Sequence, residues 1–172
     1  MKNNNNHKTW IVTVFIITFV LAIIFSFLSN AIAIKLNNYL LSLCLLLTIS
    51  IGVFFDMIGT STISARESTF HSLNSRKVRG ASEAIIMIKN SDKVSSICND
   101  IVGDVCGIIS GSLGAFLAIS LGTEVNATVI SIIISSVISA LTVGGKAIFK
   151  QVAIRHANEI LMKVSKVLSI FF

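Results

Sequence analysis

The apolar positions of this chain gather into four long uncharged runs, residues 9–34, 36–55, 105–123 and 125–145. Each is close to or above the roughly 20 apolar residues that a helix needs to cross about 30 Å of hydrocarbon. Backbone polar groups in lipid must pair within their own segment, so helices are expected and strands are not. The pattern predicts an all-α integral membrane protein with four transmembrane helices. Residues 59–99 are the one substantial polar stretch, and within it Val78, Ala81, Ile85 and Ile88 recur at helical spacing. That spacing predicts short amphipathic helices lying along a membrane face. A second amphipathic helix is expected at the C-terminus. There Ile160, Leu161, Val164, Val167, Leu168 and Phe171 form a stripe opposite Lys163 and Lys166, with Glu159 and Lys163 as an i,i+4 pair.

These elements divide the chain into four parts. Residues 1–8 form a polar tail expected to be disordered and cytoplasmic. Residues 9–58 hold the N-terminal helix and the helix after it. Residues 59–145 hold the amphipathic cytoplasmic segment and a transmembrane hairpin, whose third helix runs from about Ser95 to Leu121 and turns tightly through 122–126. Residues 146–172 form a juxtamembrane amphipathic helix. The first apolar run has the positive flank of a signal peptide, Lys2 and Lys8, with Ala31-Ile32-Ala33 as a faint cleavage site. Its length exceeds the roughly 7–15 residues of a signal core, so an uncleaved helix is expected, anchored by Trp10 at the interface.

Charge gives the orientation. With four crossings and the N-terminus inside, thirteen of the fourteen Lys and Arg residues lie on the inner side and only Lys35 lies outside. The positive-inside rule then predicts a multi-pass plasma-membrane protein with both termini cytoplasmic. Hydrophobic residues make up 53% of the chain and the net charge is +6, so the basic edges are expected to favour a bilayer with anionic headgroups. Nucleic acid is not an expected partner, because the cations are split among helix edges without interleaved aromatics.

The remaining polar chemistry is sparse. Cys98 and Cys106 are about 12 Å apart along one helix, too far for a disulfide, and Cys44 lies in another run. His7, His71 and His156 are scattered. Asn126-Ala127-Thr128 matches a glycosylation acceptor in a loop too close to the membrane to carry weight. No catalytic constellation has the needed spacing, so no enzyme is expected. Gly103, Gly107 and Gly111 repeat every fourth residue, followed by Ser112 and Gly114. Such a small face serves close packing inside a bundle or, in its sharper form, a homodimer. Asp56, Asp100 and Asp104 are the acids nearest the apolar runs. Ionisable groups there either contact an ion or partner, or meet water and nearby cations at the boundary.

From Ser64 onward the sequence resembles the transmembrane domain of the CorB/CorC (CNNM) magnesium and cobalt transport family. SARESTFHSLNSRKV is similar to that family's FSxSETAxxSLNRxRL, with Ser64, Glu67, Ser72, Leu73, Asn74 and Arg76 in order. KNSDKVSSICNDIVGDVCGI resembles the stretch leading to the family's GNN. GGKAIFKQVAIRHANEI resembles GExxPKxxAxRxAE, keeping Gly145, Lys150, Ala153, Arg155 and Ala157. The resemblance covers about 110 residues and implies three family helices, a juxtamembrane belt helix and a homodimer, with the N-terminal helix as an addition. It implies no certain cofactor beyond magnesium as the candidate ion. It also implies a cation site built from the serines of FSxS, an asparagine of GNN and the glutamate of GExxP. On that pattern Ser64 keeps the first serine and Asp104 stands where the first asparagine would be, as the two candidate metal ligands, while Arg66 replaces the second serine and Lys146 the glutamate. A lysine about 4 Å from a divalent ion opposes it by roughly 8 kcal/mol at an effective dielectric near 20. Two placements of Lys146 stay open: snorkelling to the headgroups, or filling the site with Asp104 as its partner. The function implied is association with divalent cation transport or homeostasis through an altered site. The alternative is a transport-incompetent scaffold or regulatory interaction protein.

Overall fold

A computed structural model describes residues 3–122 and 127–170. All its regular elements are helices: α1 (Asn3–Ala33), α2 (Asn38–Ser64), α3 (Glu67–Ser75), α4 (Ala81–Lys89), α5 (Ser91–Ser95), α6 (Gly103–Leu121), α7 (Ala127–Arg155) and α8 (Ala157–Leu168), with a π-helical segment, Ser96–Val102, joining α5 to α6. Four stretches are long and apolar enough to cross a membrane: Ile11–Ala33, Asn38–Ser64, Ser91–Leu121 and Thr128–Arg155. The all-α architecture with four spans is as the hydropathy predicts.

The boundaries differ from the expected ones in informative ways. Helix α1 begins at Asn3, inside the stretch expected as a disordered tail, because adding residues to a formed helix avoids the cost of nucleation. Helix α2 runs past Phe55 to Ser64. Its last turns carry Thr60, Ser61 and Thr62, all buried. Thr62 returns its hydroxyl to the Ile58 carbonyl at 2.9 Å, so a polar side chain sits inside the helix with its donor satisfied. Helix α7 continues through Lys146 to Arg155, and the juxtamembrane helix starts only after His156, whose φ of −112° breaks the α geometry. The tight turn expected at 122–126, the glycosylation acceptor Asn126 and the stripe residue Phe171 fall outside the fully described residues.

The chain forms two compact units. The first comprises Met1–Ile51 and Asp104–Thr142. Its buried residues include Leu41, Leu45 and Ile49 of α2 with Val105, Leu113 and Ala118 of α6. A Cβ on Gly114 would meet Ile138 Cδ1 and lie 3.7 Å from Leu45 Cδ1, so this glycine lets α6 sit between α2 and α7. Ser112 Oγ donates to Asn30 Oδ1 at 3.1 Å, tying α1 to α6. Near its C-terminal end α1 also buries Ser29 and Ala33, while much of its remaining described length is open, as suits a helix in lipid, with Phe15 72% and Phe27 76% exposed.

The second unit comprises Gly52–Gly103 and Val143–Phe172. Phe70 of α3, Ala84 and Ile85 of α4 and Leu161 of α8 form its apolar cluster, flanked by Leu73, Met87, Ile88 and Met162. The amphipathic helices α3, α4 and α8 therefore bury their apolar faces against one another. The buried stripe of α8 is Ala157, Leu161 and Ser165, rotated from the expected stripe, so that Val167 stays 57% exposed.

Candidate functional site

The polar side chains worth attention all lie in the second unit, where α2, the π-helical segment and α7 meet. Asp56 lies three residues before Gly59 on α2, which puts the two on one face about a turn apart. A Cβ on Gly59 would collide with Asn99 Oδ1 and come within 2.9 Å of Asn99 Cγ and 3.2 Å of Cys98 Cβ. Only glycine lets Asn99 press against α2 in this way. Asn99 sits in the π-helical segment, a geometry that inserts a residue into a helix and recurs at functional sites. Its amide nitrogen donates to Ser95 Oγ at 3.2 Å. Its Oδ1 is buried without a hydrogen-bond partner among the described residues. An orphaned buried acceptor is costly and suits a donor or cation as its complement.

At the adjacent level Lys146 enters from α7. Its Nζ lies 3.8 Å from Asp56 Oδ1, with the side chains 31% and 15% exposed. The same Nζ lies 3.5 Å from where a Cβ of Gly103 would stand, so Gly103 leaves room for the ammonium. On the opposite side, Gly145 brings α7 against Val53, whose Cγ2 lies 3.3 Å from its notional Cβ. Glycines thus frame the ion pair on two helices. At this distance the attraction is about 4 kcal/mol at an effective dielectric of 20, before the cost of desolvating both groups.

The other expected site residues are placed differently. Ser64 is half-buried at the end of α2. Arg66 occupies the N-cap position of α3 with its side chain exposed and making no cap hydrogen bond, and its backbone N–H donates to Asn158 Oδ1 at 2.9 Å. Asp104 is exposed in the first unit, and no ion pair of its carboxylate occurs among the described residues. Asp100 is exposed too and accepts from Ser96 Oγ at 2.8 Å. The counter-ion of Lys146 is therefore Asp56. Sequence reasoning had Asp56 only as a boundary acid and missed Asn99 altogether. The available signal was a pair of glycines, Gly59 and Gly103, each set where a polar side chain of another helix needs space.

The Asp56 carboxylate has the hard oxygen chemistry that magnesium prefers, and the Asn99 amide, bonded to Ser95, stands against Gly59 about a turn further along α2. With the Lys146 ammonium on the carboxylate they do not suit a divalent ion, because the charge the metal would use is already neutralised. No group of three or more His, Cys, Asp or Glu side chains fit to hold a metal occurs among the described residues.

Residues 41–172 match the family described as the cyclin M transmembrane N-terminal domain, leaving α1 and the start of α2 outside the match. No curated protein and no solved structure matches the chain.

Proposed function

The chain belongs to the cyclin M transmembrane-domain family, and on that premise we propose that it serves magnesium or cobalt transport or homeostasis through an altered ion site. The family is associated with divalent cation transport, and four apolar spans make the chain a multi-pass membrane protein. The observation that carries the altered site is the Lys146 Nζ 3.8 Å from Asp56. Lys146 also stands at the position matched to the family's glutamate of GExxP. An ammonium on a tether thus does locally what a bound cation would do: it compensates a carboxylate inside the membrane region.

The same ion pair favours a second reading, a scaffold or regulatory interaction protein that keeps the fold without moving ions. In either case we place it in the plasma membrane with both termini cytoplasmic, in keeping with thirteen of fourteen basic residues on one side. We also propose a homodimer. A Cβ on Gly107 or Gly111 meets nothing within 4 Å, so these glycines are free to receive a second copy. Proteoliposomes loaded with a cobalt-quenched dye separate the two functions. Quenching by the unaltered chain supports transport. Silence from the unaltered chain, with quenching gained by Lys146→Glu, identifies a scaffold whose site is held shut.

A further inference from the structure

The turn between α3 and α4 concentrates charge and strain in five residues, Arg76-Lys77-Val78-Arg79-Gly80. Lys77 has φ 54°, the one non-glycine residue with positive φ among those described, and Gly80 has φ 90°. The left-handed backbone at Lys77 closes the end of α3: its N–H donates to the Asn74 carbonyl at 2.9 Å and that of Val78 to the Leu73 carbonyl at 3.1 Å, a position that Asn or Gly adopts more readily than lysine. The turn is clamped onto α8. A Cβ on Gly80 would lie 2.9 Å from Lys166 N and 3.0 Å from its Cα. Arg79 donates from Nε to Ser169 Oγ at 3.2 Å and from Nη2 to the Ser169 carbonyl at 3.4 Å. The clamp sets Gly80 beside Lys166 and Arg79 on Ser169; Arg76, Lys77, Arg79, Lys166 and, one turn back on α8, Lys163 are all exposed. Glu83 is the acid that acts on Arg79, so the group keeps a strong positive excess.

The flank of α8 beside these cations is apolar, half-buried at Ile160 and Val164 and open towards its C-terminal end. Val167 is 57% and Ile170 66% exposed, and Ile160 and Val164 continue the strip. Helix α8 follows the membrane-length helix α7 after a single residue, His156, which on the four-span topology proposed above sets this strip near the membrane boundary. Cations with spare donors beside open apolar side chains, at the end of a crossing helix, match a phospholipid in both halves: phosphate at the bases, acyl chain at the strip. A soluble phosphate has no use for Val167 or Ile170.

We propose that the turn 76–80 and α8 together form a binding site for the headgroup of an anionic phospholipid. The end of α3 holds the Lys77 backbone, and in this proposal its exposed ammonium joins Arg79 and Lys166 in facing that headgroup. The site is separate from the Asp56–Lys146 pair and does not depend on the chain's handling of cations.

The test is thermal melting of the full chain in neutral detergent, titrated with short-chain phosphatidylglycerol, phosphatidylcholine or inorganic phosphate. Phosphatidylglycerol should raise the melting temperature saturably and the other two should not. Lys77→Asn removes the charge but suits the left-handed backbone. Its melting temperature without lipid should equal or exceed that of the parent, while half-saturation needs roughly fivefold more phosphatidylglycerol. Arg76→Gln, outside the clamp, should weaken binding similarly with no change in the lipid-free melt. Equal stabilisation by phosphatidylcholine, stabilisation by inorganic phosphate alone, or an unchanged phosphatidylglycerol response in both variants would overturn the proposal.

Discussion

The two units of this molecule differ most in the charge they carry. Both return hydroxyls to their own helices, and each holds a polar contact between helices, Ser112–Asn30 in the first and Lys146–Asp56 in the second. In the first, hydroxyls mostly fold back on their own helix: Thr48 on the Cys44 carbonyl, Ser50 on Leu46, Ser110 on Gly107 and Ser120 on Leu117. Asp104 is its one acid among the described residues. The second unit holds six of the eight acids and eleven of the fourteen Lys and Arg residues. It also holds the ion pairs His71–Glu67, Lys146–Asp56 and His156–Glu159, the π-helical segment and the orphaned Asn99 Oδ1. A helix in lipid satisfies most of its hydroxyls locally; the first-unit exceptions are Ser112, which reaches Asn30, and Ser29, whose Oγ is buried without a partner among the described residues. Where polar side chains instead bond across helices, they fix one particular arrangement, and that is where chemistry should be sought.

If that contrast holds, breaking the second unit's polar pairing should cost most. Lys146→Ala leaves Asp56, 15% exposed, without its counter-ion and should destabilise the protein by about 3–5 kcal/mol. The double variant Asp56→Asn/Lys146→Met should recover most of that loss in a detergent melt, since it removes both charges together. Next comes Gly59→Val, whose side chain would occupy the space of Asn99 Oδ1. Overpacking there should cost about 2–3 kcal/mol, read as a lower melting temperature and a lower yield of monodisperse protein.

Gly107→Leu in the first unit is the counterpart. Nothing lies within 4 Å of its Cβ position, so the fold should tolerate leucine. A homodimer packed through this face should weaken by about 1 kcal/mol, measured as a shift in cross-linking midpoint in membranes. The smallest effect is expected at Ser82. Its hydroxyl donates to Glu83 at 2.7 Å and, ahead of the attraction of Arg79, holds the Glu83 carboxyl below its ordinary range. A depressed carboxyl contributes stability above its unfolded pKa and loses it as pH falls through the folded one. The melting difference between parent and Ser82→Ala should therefore be small at neutral pH and vanish in acid.

Much of this contrast was legible in the sequence, and some was not. Hydropathy sets the four spans because each long apolar run has only one way to satisfy its backbone in lipid. The polar ends of the spans were harder. Thr60, Ser61 and Thr62 look like a loop, yet they are buried inside α2 because the helices around them supply the packing. The run through Lys146 looks finished at the charge, yet α7 continues nine residues further, to Arg155, because Asp56 receives that charge within the fold. Motif matching led to Asp104 and Arg66 as site neighbours of Lys146. The structure gives Arg66 a capping position and Lys146 the carboxylate of Asp56 instead. A counter-ion ninety residues away in sequence has no periodic signature, and neither does an asparagine turned inward by a π-helical segment.

The central claim is that Lys146 serves as a built-in cation for Asp56. Its most direct test is a magnesium titration of the thermal melt, comparing the unaltered chain with Lys146→Glu in detergent. Arg66 can stay as it is, since it stands at the N-terminus of α3 with an exposed side chain. The unaltered protein should show no saturable response to millimolar magnesium. Lys146→Glu places a second carboxylate beside Asp56, so it should melt lower without the ion and regain stability as magnesium binds, by roughly 2.7 kcal/mol at a hundredfold excess over Kd. Saturable stabilisation of the unaltered chain, or a Lys146→Glu variant that ignores magnesium, would contradict the account.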